Sequence, residues 1–326
     1  MRKIILVILF VVFNLMAYTQ VIKGTIFDEK TKSTIPYASV YFNGTFVGTT
    51  TDQQGRFVLD IPKQNNMPLT ISAIGYFSTT ITKFRTNESL TINLKPKEYE
   101  LKETSVKSKS LVRKRKRYLT KFRNEFLGTT NNALKCTILN EKDITFNYYT
   151  TGDTLKAYAL KPIIIENRAL GYTITYYLDN FEYFWDRRTV FFVGNIKFSE
   201  IATSGITQEV YADIRKKTYI GSKMHFFRSL WNNELKAQGF SMETPVREDL
   251  NMKDVVAVDS MNNKYLHYPE RFIIWNKNAG TSIQFLKNYV YFDNTGYFDP
   301  SGLNWLGGMG DGRIADWLPY EYAVGK

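Results

Sequence analysis
Two histidines occur in the chain, His225 and His267, and the second opens the tetrapeptide His-Tyr-Pro-Glu, His267 to Glu270. H-x-x-E is the two-ligand half of a hydrolytic zinc site, which needs three protein ligands and an open fourth position. No histidine follows His267, His225 lies upstream of it, and Pro269 separates the two supposed ligands just before the apolar run "RFIIW". The tetrapeptide therefore reads as a loop leading into a strand, and no metal or other cofactor is expected. Nucleophilic catalysis lacks its parts as well: there is no G-x-S-x-G and no S-x-x-K. His225 lies in a helical pattern beside Phe226, Phe227 and Arg228 and is expected to be structural.

Carboxylates need no motif, since glycoside hydrolysis asks only for two acids brought together by the fold. Asp179, Glu182, Asp186 and Glu200 lie among Tyr176, Tyr177, Phe181, Tyr183, Phe184 and Trp185, and Tyr183 and Trp185 are the candidates for stacking on a sugar ring. The competing expectation is a sheet with its aromatics in the core and its acids in water. "DNTGYFDPSG", Asp293 to Gly302, has a spacing unlike a calcium loop and reads as a hairpin turn. Cys136 is the sole cysteine, so no intramolecular disulfide is possible, and its apolar setting makes it a small buried hydrophobe.

Charge supplies the strongest binding signal. The 326 residues carry a net charge of +12, and Lys107 to Arg123 holds nine Lys or Arg and no acid. Arg113, Lys114, Arg115, Lys116 and Arg117 form its centre and are the candidate site for an anionic partner. Nucleic acid is set aside because the chain opens as an exported protein does. Arg2 and Lys3 precede ten uninterrupted apolar residues, Ile4 to Phe13, and then a small and polar stretch to Gln20. These are the three parts of a signal peptide, and the apolar run is short of the ~20 residues a membrane-crossing helix needs. With residues 1–20 removed the net charge becomes +10. No cysteine stands at the cleavage point, so a lipid anchor is not expected, nor a transmembrane segment in the mature chain.

The elements that must position these residues divide in two. From residue 21 to 95, short alternating apolar runs separated by turn residues predict an antiparallel β-sandwich, with Gly55 of "TDQQGRF" in a left-handed turn. Residues 96–110 are charged, lack an apolar stripe and read as a linker. The remainder, 111–326, reads as an α+β domain rich in antiparallel strands. A helix is predicted over 111–127, where Tyr118, Leu119, Phe122 and Phe126 recur at helical spacing before Gly128. Helices are also expected over 207–220 and 221–240. The latter would be capped by Ser222, carry Met224, Phe227, Trp231 and Leu235 on one stripe, and end at Gly239.

The ordered motifs "GTIFD", "IPYASV", "GTTTDQQGRF" and "ISAIGY" carry a resemblance. Residues 21 to about 94 resemble the carboxypeptidase regulatory-like domain of exported proteins from Bacteroidota-type envelopes. The resemblance implies a transthyretin-like (prealbumin-like) sandwich without catalytic residues, in a chain similar to the smaller exported proteins that bear this module and no transport barrel. The function expected is therefore a non-enzymatic envelope binding module, periplasmic, with outer-membrane association left open. Its partner would be an envelope protein or an acidic glycan or lipid headgroup. The alternative is a glycan-binding protein or glycoside hydrolase working through the aromatic-rich region.

Overall fold
A computed structural model describes residues 20–61, 67–85, 88–97, 109–201, 208–277 and 279–325. The expected signal peptide, apart from Gln20, and most of the expected linker lie outside these residues. The chain forms two compact units, Met1–Asn43 with Val47–Tyr99, and Gly44–Phe46 with Glu100–Lys326.

The first unit is a sandwich of two small sheets. One has the order β4-β1-β7, from Arg56–Ile61, Gln20–Asp28 and Ser89–Leu94; the other is β3-β2-β5-β6, from Gly48–Thr50, Ser39–Phe42, Leu69–Ser72 and Thr79–Ile81. Alternation explains the packing. In β4, Phe57, Leu59 and Ile61 point inward and the residues between them point to water. The antiparallel expectation fails at one place, because β1 pairs with β7 in parallel from Lys23↔Ser89 to Asp28↔Leu94. These strands come from opposite ends of the unit, so no hairpin dictates their direction. Gly55 has φ 73° as expected, and the Asp52 carboxylate accepts from the Gln54 and Arg56 N–H groups to close the turn.

The second unit begins with helix α1, Lys109–Phe126, laid on a six-stranded sheet. That sheet contains β8 (Cys136–Ile138), β9 (Ile144–Tyr149), β10 (Thr154–Ala159), β11 (Ile163–Asn167), β12 (Tyr172–Phe184) and β13 (Thr189–Glu200). The order is β8-β11-β12-β10-β9, with β13 along the other side of β12. Phe122 and Phe126 of α1 are fully buried, with Phe122 4.7 Å from the Phe181 ring and Phe126 4.9 Å from Tyr176 and 5.4 Å from Phe192. The β12–β13 register slips by one between Leu178 and Asn180, leaving Asp179 as a bulge. Up to Leu178 the even-numbered side chains face the core; from Phe181 the odd-numbered ones do.

After a single turn at Gln208–Tyr211 come α2 (Ala212–Tyr219) and α3 (Lys223–Trp231). Ser222 caps α3 by accepting from the His225 N–H. The helix expected to reach Gly239 stops at Trp231. Asn233 takes φ 58°, its N–H bonds the Leu230 carbonyl, and the Glu234 N–H bonds that of Ser229. This is a Schellman ending, and its sequence signal was the Asn232-Asn233 pair. Around α3 lie a five-stranded sheet, β15-β14-β18-β19-β21, and a three-stranded sheet, β16-β17-β20. Their strands are β14 (Phe240–Glu243), β15 (Asp249–Leu250), β16 (Val256–Val258), β17 (Lys264–Leu266), β18 (Phe272–Asn276), β19 (Ala279–Phe285), β20 (Val290–Phe292) and β21 (Leu303–Leu306). In the run "DVVAVD", Asp254 and Val255 end a single helical turn, α4 (Met252–Val255), where Asn251 and Asp254 form a capping box, and Val256–Val258 make β16.

Candidate functional site
The helical period that buries Tyr118, Phe122 and Phe126 also creates a polar stripe on α1. Arg113, Lys116, Arg117, Thr120, Lys121 and Asn124 recur at three and four residues, and with Trp185 they line an open cleft of about 430 Å³. Trp185 follows β12, and its backbone N–H donates to the Asp153 carbonyl, 3.0 Å away. The Arg117 guanidinium lies 4.9 Å from the Trp185 ring centre and the Lys121 ammonium 5.3 Å. Lys121 also lies 4.4 Å from the Tyr183 ring and 3.4 Å from Glu125, a shielded i,i+4 pair. Arg113, Lys116 and Arg117 form no ion pair with any carboxylate among the described residues. The first turn of α1 holds no acid, so the positive end of the helix dipole adds to the same field.

The basic run does not act as one patch. Arg115 points the other way, donating to the carbonyls of Glu141 and Ile144, both at 2.8 Å, and lying 5.6 Å from the Phe146 ring. It fastens α1 to β9 and is lost to any partner site. Lys114 is exposed and outside the cleft. The cleft is therefore Arg113, Lys116 and Arg117 from the expected five, with Lys121, Thr120 and Asn124 added. The signal separating them was present: Arg115 precedes Tyr118, Phe122 and Phe126 by three, seven and eleven residues, which puts it on the apolar face.

The aromatic sugar platform does not form. Tyr183 is only 3% exposed and stands edge-on to Trp185 at 4.9 Å and 90°, so it offers no ring face to a ligand. Trp185 instead serves as the wall of the cationic cleft. The nearby acids are engaged or apart. Glu182 pairs with Lys156 at 2.7 Å, Asp186 with Arg187 at 3.5 Å, and Asp179 accepts from the Asn195 amide at 3.3 Å. Glu200 lies opposite Tyr172, ten residues along β12 from Glu182, or roughly 33 Å at strand spacing. Carboxyl pairs of glycosidases sit about 5–9.5 Å apart.

The remaining candidates are structural. His225 is 6% exposed; its Nδ1 accepts from the Gly221 N–H, its Nε2 meets Gln238 Oε1, and burial holds its pKa below the ordinary value. His267 donates its backbone N–H to Val255 and packs 5.4 Å from the Tyr289 ring. No three His, Cys, Asp or Glu residues come together as a metal site among the described residues. Asp293 closes its loop as a turn, accepting from Thr295 and Tyr297. Cys136 gives its thiol to the Asn132 carbonyl, and burial, with the Asp316 charge, pushes its pKa up to about 12, so little thiolate exists at neutral pH.

Residues 22–106 match the CarboxypepD_reg-like domain family. No curated protein matches the sequence. A solved structure of a protein of unknown function from Bacteroides fragilis NCTC 9343 aligns over 89% of this chain and 95% of its own, at 10% identity and a TM-score of 0.19, too low to carry an argument. The β-sandwich that opens this chain is a carboxypeptidase regulatory-like domain.

Proposed function
We propose that the protein is an exported, non-enzymatic module of the cell envelope whose second unit binds an acidic partner in the cleft between α1 and Trp185. The observation that carries this reading is the set Arg113, Lys116 and Arg117, three basic side chains on one cleft wall without a carboxylate partner among the described residues. Like charges held close together without counter-charges repel one another, and an anionic ligand relieves that repulsion while gaining Coulomb energy. Trp185 adds an apolar wall that fixes the Arg117 guanidinium. A periplasmic position fits the signal-like N-terminus, and no helix among the described residues is long and apolar enough to cross a membrane. Acidic lipid headgroups and acidic glycans are the partner chemistries of that compartment that suit such a cleft.

Two neutralised variants of the mature protein test this. Arg113→Gln/Lys116→Gln/Arg117→Gln removes the cleft charges, and Lys216→Gln/Lys217→Gln/Lys236→Gln removes the same net charge elsewhere. Titration with phosphatidylglycerol vesicles and with dextran sulfate at low salt should show the first weakened about a hundredfold, at roughly 1 kcal/mol per basic residue near an anionic surface. The second should bind within a few-fold of wild type. Equal weakening of both would reduce the effect to net charge and remove the site.

A further inference from the structure
We propose that the protein self-associates through the free edge of β13, pairing antiparallel with the same strand of a second copy about a two-fold axis at Phe192. This surface is separate from the cationic cleft and needs no anionic ligand. Strand β13 gives its inner edge to β12 along its whole length. Among the described residues its outer edge is occupied only toward its end, where Gly44–Phe46, which groups with this unit, meets it: the Gly44 N–H bonds the Ile196 carbonyl, and the Phe198 N–H bonds that of Thr45. Those bonds fix which backbone groups point outward. By the two-residue period they belong to residues 190, 192, 194, 196 and 198. The outward groups of Val190, Phe192 and Gly194 have no backbone partner among the described residues.

An open edge is normally protected by a lysine, a proline or a bulge. "TVFFVGN", Thr189 to Asn195, has none of the three: it is uncharged, and the bulge at Asp179 lies on β12. The paired stretch itself is neutral, and the flanking Arg187, Arg188 and Lys197 lie outside its seven positions. The pattern is also self-complementary. Phe191, 51% exposed, and Val193, 46% exposed, flank Phe192 on the face away from α1. Antiparallel pairing about Phe192 sets Phe191 against Val193 of the partner subunit, and Val193 against Phe191 of the partner subunit. These are non-hydrogen-bonded positions, where side chains approach most closely and aromatic with β-branched pairs are favourable. Residues 190, 192 and 194 then exchange hydrogen bonds with 194, 192 and 190 of the other copy. That is the isologous contact a closed dimer requires.

The register makes a charge-swap test possible in the mature full-length chain. Phe191→Lys/Val193→Lys places like charges opposite each other twice, whereas Phe191→Glu/Val193→Lys places opposite charges at the same two contacts. Sedimentation equilibrium should show wild type dimerising, the Lys/Lys variant weakened about tenfold or more, and the Glu/Lys variant associating close to wild type. Both variants change the same exposed positions, so damage to the fold would affect both. Hydrogen exchange at the amides of Val190, Phe192 and Gly194 should slow with rising protein concentration in wild type and not in the Lys/Lys variant. A wild type that stays monomeric, or a dimer indifferent to the charge pattern, overturns the proposal.

Discussion

The two units differ in how far their polar side chains reach. In the first, Asp28 accepts from the N–H groups of Lys30 and Thr31, Asp52 accepts from those of Gln54 and Arg56, and a longer contact such as Tyr76 to Asp28 spans 48 residues. The second closes turns locally too, as at Asp293, but some of its side chains reach much further along the chain. Arg228 on α3 donates to the carbonyls of Thr295, Tyr320 and Tyr322, and buried Asn167 donates to Ala315. Local closure leaves ordered motifs in the sequence, while remote closure leaves single residues whose partners appear only in the fold. The first unit thus shows its family in its turns, and the second shows little beyond its periodicities.

Polar groups that are buried or half-buried should be the sharpest probe of that contrast. Arg228→Met leaves three carbonyls without their charged donor and should cost roughly 3 kcal/mol in urea unfolding. Its counterpart in the first unit is Tyr41→Phe, which removes a hydroxyl 2.9 Å from Ser72 Oγ in a fully buried setting and should cost about 1 kcal/mol. Equal losses would abolish the distinction.

A smaller effect separates neighbours within α1. Arg115→Gln gives up two bonds to carbonyls and should cost roughly 1–2 kcal/mol without altering polyanion binding. Lys114→Gln should lie within about 0.5 kcal/mol of wild type, as exposed substitutions do. Two melting curves and two binding isotherms decide it, and a neutral Arg115→Gln would return Arg115 to the surface patch.

The smallest effect is the order of loss in acid. His225 has a depressed pKa through burial, so unfolded chains bind its proton first; its contribution is complete above the ordinary value of 6.5 and declines as pH falls below it. Asp28 has a depressed pKa through the Thr31 N–H and then the Tyr76 hydroxyl. Its contribution is complete above 3.8 and is lost only as pH falls from there toward its lower folded value. Hydrogen-exchange protection in α3 should therefore weaken before that of β1. Parallel decline would mean that neither group controls its surroundings.

Legibility in the sequence followed the range of the interactions. The sandwich, α1 and its apolar stripe could be read because alternation and helical spacing act over a few residues. The end of α3 was missed because the apolar stripe running on to Leu235 outweighed an Asn-Asn ending. The cleft was half legible. Its basic residues stood in one run, but their division between cleft and clamp depends on which face β9 covers. Trp185 is legible as a surface aromatic but its neighbour is not, since adjacency in sequence to Tyr183 suggests a shared surface when one ring is interior and the other forms a wall.

The bulge at Asp179 acts as a frameshift written in protein rather than in nucleic acid. Everything beyond it on β12 is read in the opposite phase, and that phase directs Phe181 and Tyr183 toward α1 and brings Trp185 beside Arg117 and Lys121. Pairing Asp179 into the ladder, with no residue lost, would turn the far half of the strand inside out without changing any side chain. Aromatic rings would face water, Glu182 would face Phe122, and the cationic stripe would lose its wall. Deleting Asp179 itself would leave Leu178, Phe181 and Tyr183 in unbroken alternation on the same face, so the wall of the cleft depends on the extra residue being looped out and not on its presence.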